Sequence, residues 1–254
     1  MSRIAETFAR LRAEGRPGLV TFTTAGDPDL PRSAEILKAL ARAGADVLEV
    51  GVPFSDPLAD GPVIQRPLDL VAEVRREVST PIVIFSYANP IVRMGLDGFV
   101  DRAADAGVDG VLALDLPLEE ADEFRAAMDR RSLDNIFLLS PTTTDARIRK
   151  AAELGRGFLY GISRLGVTGA RATVATGAED MVRRIRAFTT LPLALGFGIS
   201  QPEHVAEVGR YADAAVVGSA LVALIAEASS GPDLIARVDA YVRSLRAACV
   251  PQQA

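Results

Sequence analysis

Short apolar runs rich in Val, Ile, Leu and Phe alternate with amphipathic segments from one end of the chain to the other. Runs that are apolar at successive positions suit strands buried on both faces, whereas recurrence every three or four residues suits helices with one buried stripe. Eight strand candidates emerge: GLVTFTTAG (18–26), DVLEVGVPF (46–54), PIVIFSYAN (81–89), GVLALDL (110–116), NIFLLSP (135–141), GFLYGIS (157–163), PLALGFG (192–198) and AAVVGS (214–219). Between them lie helical patterns such as PRSAEILKALARAG, MGLDGFVDRAADAG, EEADEFRAAMDRR, DARIRKAAELG, AEDMVRRIRAF and PEHVAEVGRYA.

Parallel strands need a crossover long enough for a helix, and these segments supply it. Eight such units in 254 residues match the size of a (β/α)8 TIM barrel, an α/β fold. Two junctions, AGADVLEVG (43–51) and AGVDGVLAL (106–114), repeat one another, as expected when one unit recurs. An extra N-terminal helix should precede the first strand, and PDLIARVDAYVRSLRAA should close the ring. No linker divides the chain, so residues 1–254 read as a single domain. A doubly wound open sheet is the alternative, though it uses eight units less readily.

At 49% hydrophobic and 24% charged residues the chain can bury a core, which excludes disorder. No apolar stretch approaches the roughly 20 residues that cross a bilayer, and the charged N-terminal segment lacks a signal core. A cytoplasmic location is the expectation. Net charge is −5, with the basic residues scattered, so no nucleic-acid partner is expected. The rare residues narrow the chemistry further. Lys38 and Lys150, the only lysines, fall in helical segments, away from strand ends where a Schiff base would form. His204, the only histidine, reads as a surface residue, and Cys249 lies near the C-terminus. Covalent lysine catalysis, a transition-metal centre and a Ser-His-acid triad are therefore not expected. Acid and base catalysis by carboxylates, assisted by tyrosine, remains.

In such a barrel the working residues come from the C-terminal ends of strands and the loops after them. Glu49 sits inside an apolar strand run, and period-2 alternation puts Val47, Glu49 and Gly51 on one face. A carboxylate there is costly unless it has a partner or a task. An ion pair with a neighbouring arginine is the structural reading. The loop SDPLADGP adds Asp56 and Asp60, and two carboxylates in one cleft can divide acid and base roles, although an aspartate can equally cap a turn. Gly196, Gly198, Gly218 and Ser219 end two adjacent strands before the apolar helical start ALVALIA, a pattern that suits a phosphate at a helix N-terminus as well as plain turn chemistry. The long loop SRLGVTGARATVATG, with Gly166, Thr168 and Gly169, reads as a lid or an ordinary mobile loop. Tyr87 and Tyr160 lie near strand ends, and Phe22, Phe85, Leu112 and Phe197 suit either an apolar substrate slot or core packing.

At LEVGVPFSDPLADGPVIQ the chain resembles the tryptophan synthase alpha chain family, and the similarity resumes in IVIFSYANPI, GVLALDLP, SRLGVTGAR, GFGIS and VVGSALV. The resemblance implies cofactor-free retro-aldol cleavage of indole-3-glycerol phosphate to indole and glyceraldehyde 3-phosphate, as the alpha subunit of an alpha2-beta2 assembly with a beta chain. It implies Glu49 as the general acid/base, Asp60 as the carboxylate on the indole N–H and Tyr160 as the active-site tyrosine. Substrate contacts follow for Phe22, Phe85, Tyr87, Leu112, Thr168 and Phe197, and phosphate contacts for Gly169, Gly198, Gly218 and Ser219. A beta-chain face follows at Pro53, Asp56, Asn89, Asp115 and Pro117. One departure stands out: after Gln65 the family continues through a loop and short helix, whereas here Arg66, Pro67 and Leu68 lead directly on, roughly a dozen residues shorter. Weaker positioning of Asp60 and weaker coupling to a beta chain are expected from that shortening. A stand-alone indole-releasing lyase and a catalytically weak partner of the beta chain are the competing readings.

Overall fold

Seven of the eight predicted strands form within their apolar runs in the computed structural model, which describes residues 1–53, 64–162, 177–196 and 198–251. They are β1 (Gly18–Thr24), β2 (Val47–Gly51), β3 (Ile82–Ser86), β4 (Gly110–Ala113), β7 (Leu159–Ile162), β8 (Leu193–Gly196) and β9 (Ala214–Val217). The predicted strand at 135–141 is broken into β5 (Asp134–Asn135) and β6 (Leu138–Leu139). All pairings are parallel, in the order β5-β4-β3-β2-β1-β9-β8-β7-β6. The two ends of that order are the two halves of one stave. The Ile136 N–H donates to Val111 and the Tyr160 N–H to Phe137, so the chain between β5 and β6 completes an eight-stave ring.

Helices α1 (Arg3–Ala13), α2 (Leu30–Ala43), α3 (Gln65–Val74), α4 (Ala88–Met94), α5 (Leu96–Ala106), α6 (Ala121–Arg130), α7 (Asp145–Leu154), α8 (Ala178–Arg186), α9 (Pro202–Val208), α10 (Ser219–Ala228) and α11 (Leu234–Ala247) accompany the strands. Helix α2 shows how local sequence draws such bounds. Asp29 accepts from the Arg32 N–H at its start, and Gly44 adopts φ 101° at its end. The predicted helix MGLDGFVDRAADAG divides at Gly95, whose φ of 82° stops α4 and lets α5 begin. Helix α11 packs on α2 and closes the outer ring.

Alternate residues of each strand separate two apolar layers. Leu19, Leu48, Val50, Ile82 and Ile84 face the helices, while Val20, Val47, Val83, Leu112, Ile136 and Phe158 fill the barrel interior. Helix α1 plugs the N-terminal pole with Ile4, Phe8 and Leu11, and the Phe8 ring lies 5.6 Å from that of Phe158.

An aspartate clasp recurs at the same pole. The N–H of Asp46, Asp109 and Asp213 donates to Leu19, Ile82 and Leu193, while each carboxylate accepts the N–H of that same residue on the neighbouring strand. The repeated junctions AGADV and AGVDG carry two of these clasps. Arginines complete them: Arg16 grips Asp46 through both terminal nitrogens at 3.0 and 2.9 Å, Arg75 meets Asp109 at 2.7 Å, and Arg186 pairs with Asp213. Among the described residues, no helix is long and apolar enough to cross a membrane.

Removing a clasp carboxylate strands a partly buried guanidinium and a strand N–H together. Asp109→Ala should therefore cost about 3 kcal/mol in urea unfolding. Asp97→Ala, which breaks only the exposed pair with Arg130, should leave the midpoint almost where it was.

Candidate active site

Alternation along β2 turns Val47, Glu49 and Gly51 into the barrel, and Glu49 reaches zero exposure. Neither carboxyl oxygen has a hydrogen-bond partner among the described residues. The structural reading of an arginine ion pair is thus overturned there: the arginines near the strands gather at the opposite pole, on Asp46, Asp109 and Asp213. Burial alone pushes the Glu49 carboxyl up to about 8, so it carries its proton at neutral pH.

Tyr160 of β7 projects into the same interior with only 9% of its surface exposed. Its phenol is held well above the ordinary value, first by burial and then by the nearby Glu49. Its hydroxyl is therefore neutral at working pH. Gly196 on the adjacent β8 makes room for it, since a Cβ at that position would lie 2.6 Å from the Tyr160 hydroxyl. The glycine read from sequence as part of an anion cradle thus also accommodates the tyrosine.

Above these residues opens a cavity of about 640 Å³ at the C-terminal ends of the strands. Phe22, Phe85, Leu114, Leu138, Tyr160, Ile162 and Val216 form its apolar wall. Gly198, Gly218, Ser219 and Ala220 line it from the β8 and β9 side, where α10 begins. No side chain caps α10, so its first N–H groups and the positive end of its dipole are offered to the cavity. Ten residues of helix behind an uncapped end suit a phosphate. Gly198, at φ 81°, holds a conformation that favours glycine, whereas a Cβ on Gly218 would meet Phe22 only at ordinary contact distance.

The structure redistributes other candidates. Leu112 is fully buried in the interior layer, and the next inward position of that stave, Leu114, takes the place in the wall. Tyr87 does not line the cavity; it precedes α4 with 41% exposure because the chain turns outward after β3. Asn89, Asp115 and Pro117 are exposed beside it, with Asp115 accepting the Ala88 N–H at 2.6 Å, while Pro53 follows the end of β2. His204, expected at the surface, is buried on the inner side of the short α9, where its Nδ1 accepts the Ser200 N–H at 3.3 Å. Asp56, Asp60, Thr168, Gly169 and Phe197, with the lid loop up to residue 176, lie outside the described residues, whereas Arg66, Pro67 and Leu68, where the chain is shorter than the family pattern, form the first turn of α3. Sequence reasoning missed the far wall, formed by Val222, Ala223 and Ala226 of α10. Their three- and four-residue spacing was the available signal.

The profile of the tryptophan synthase alpha chain family matches residues 8–250. The chain is 49% identical to the tryptophan synthase alpha chain of Geotalea uraniireducens over 261 aligned positions, covering 97% of each. That alignment is longer than the chain, so the relative carries residues with no counterpart here. Mycobacterium tuberculosis tryptophan synthase supplies a solved structure with TM-score 0.87 and 33% identity, covering 99% of both chains. A chain from the tryptophan synthase a2b2 complex of Pyrococcus furiosus superposes with TM-score 0.82 and 37% identity, covering 92% of this chain and 99% of that one.

The buried Glu49 also predicts a pH effect on stability. Below the ordinary carboxyl value of 4.5 both the folded and unfolded chains hold the proton. From there to about 8 only the folded chain holds it, so stability falls as pH rises. Glu49→Gln cannot ionise and escapes that loss. Its advantage over the parent chain in urea unfolding should grow between pH 5 and pH 8, on the order of 1 kcal/mol per unit.

Proposed function

The chain belongs to the tryptophan synthase alpha chain family, and we propose that it is the lyase subunit cleaving indole-3-glycerol phosphate to indole and glyceraldehyde 3-phosphate. One observation carries this reading: a proton-bearing Glu49, with no hydrogen-bond partner among the described residues, beside an apolar cavity whose other end is an uncapped helix N-terminus. The apolar wall suits the indole ring, and the α10 N–H groups suit the phosphate.

In this reading Glu49 donates its proton to indole C3. The bond from C3 to the side-chain carbon then breaks, its electron pair returning to the ring and restoring indole. Glu49, now ionised, takes the proton of the side-chain hydroxyl as that carbon becomes the aldehyde, so one carboxyl serves as acid and then base. Asp60 is assigned by resemblance to the ring N–H, where positive charge develops during protonation. Thr168 and Gly169 are assigned in the same way to the lid and the phosphate. The neutral Tyr160 hydroxyl supplies a polar point beside Glu49 without competing for its proton.

A beta chain is the proposed partner, in a heterotetramer. The exposed group of Tyr87, Asn89, Asp115 and Pro117, with Val92 at 70% exposure nearby, is the proposed face for it. A cytoplasmic location is part of the same proposal.

The test is indole release from indole-3-glycerol phosphate by the purified chain, with and without a cognate beta chain. Release that rises with the beta chain supports the subunit reading; equal release in both arms supports a stand-alone lyase. No release in either arm supports a catalytically weak partner, a reading to which the shorter connection after Gln65 lends weight. Glu49→Gln should lower turnover by about 10²–10⁴-fold or more while leaving binding of glycerol phosphate nearly unchanged. A variant rate close to the parent's would reject the assignment of Glu49.

A further inference from the structure

Gly51 shapes the cavity wall through an atom it lacks. Its backbone is ordinary strand, in register with Thr24 of β1 and Phe85 of β3, so conformation does not demand glycine there. Space does. A Cβ on Gly51 would lie 2.6 Å from Cζ and 2.7 Å from Cε2 of Phe22. The Phe22 ring therefore reaches from β1 across β2 and meets the Phe85 ring edge-on, with centroids 5.4 Å apart at 75°. Phe22 is the register partner of Glu49, the inward residue just before Gly51 on β2. Both rings are half-buried and line the cavity, while Glu49 has no exposed surface.

We propose that Gly51 is a positioning residue for the acid: by leaving room for the Phe22 ring across β2, it seats the Phe22–Phe85 pair as the apolar cover that keeps water from the Glu49 carboxyl. The catalytic consequence rests on the lyase reading of Glu49. The cover itself does not. In register with Glu49 are Phe22 of β1 and Val83 of β3, both apolar, with Phe85 one inward step further along β3; among the described residues Tyr160 of β7 is the titratable group whose ionisation Glu49 opposes. Burial is the cause acting on Glu49 itself. A methyl group at position 51 must displace Phe22, admit water to the carboxyl and let it lose its proton at lower pH.

The experiment titrates Glu49 in the full chain by carboxyl 13C NMR, with the Glu49→Gln spectrum assigning the signal. Gly51→Ala should lower the midpoint by about one pH unit or more. Phe85→Leu, which removes half of the cover without a clash, should lower it in the same direction and carries the test if Gly51→Ala does not fold. Adding Phe22→Leu to Gly51→Ala relieves the crowding but not the missing cover, so the midpoint should stay low; its return to the parent value would mean strain and overturn the proposal. In indole release the alkaline limb of kcat/KM should move down with the midpoint, and kcat at neutral pH should fall more than KM rises. Midpoints unmoved in both Gly51→Ala and Phe85→Leu overturn the proposal whatever the rates do. A lowered midpoint without a matching move in the rate profile upholds the cover and instead rejects Glu49 as the acid.

Discussion

Taking a carboxylate out of water with no donor to meet it costs several kcal/mol, and proteins ordinarily avoid the cost by pairing the charge or by keeping the proton on. At Glu49 this barrel keeps the proton on. That choice constrains everything around β2. Phe22 must cross the strand, Gly51 must lack a side chain, and Tyr160 must present a neutral hydroxyl rather than a charge. A barrel interior suits such a group because the staves fix each inward side chain by register, so a carboxyl can be held among apolar neighbours without a partner to orient it.

The two poles of the ring divide the electrostatic labour. At the N-terminal pole Asp46, Asp109 and Asp213 are buried or half-buried, yet each is satisfied by a strand N–H and an arginine. Those ion pairs join neighbouring staves and anchor the plugging helix α1 through Arg3 and Arg10. At the C-terminal pole the described cavity wall contains no charged residue. Stability is concentrated where the polar groups are paired, and the carboxyl that has no partner among the described residues sits in the half of the barrel where binding and reaction are proposed. This separation lets a destabilising group persist within a folded ring.

The ring was legible in the sequence because its signal is redundant: strands apolar on both faces, helices with one buried stripe, and a repeated junction all say the same thing. Glu49 was legible for the opposite reason, as a charge interrupting a pattern that should exclude it. Depth within the barrel was not legible. Period-2 alternation places Leu112 and Leu114 on one face equally well, and only the tilt and stagger of the staves decide which is packed inside and which meets the cavity. The outward turn that exposes Tyr87 and the break between β5 and β6 likewise depend on neighbours across the ring rather than on local preference. His204 was misplaced because a polar residue on a seven-residue helix gives no periodicity strong enough to show which side faces the core.

In the proposed reading the phosphate is held without a cation from the described wall. An arginine or lysine in the cavity would attract the anion, but within several ångströms it would also stabilise ionised Glu49 and draw the carboxyl back toward its ordinary value. The end of α10 avoids that conflict. Its N–H groups are directional and short in range, and its partial charge falls off within the first turn, so it can grip a phosphate without acting as a full charge on a carboxyl across the cavity. Anion binding by backbone and proton retention by burial are therefore compatible in a single space of about 640 Å³, where binding by a cationic side chain would oppose the proton that the proposed reaction needs.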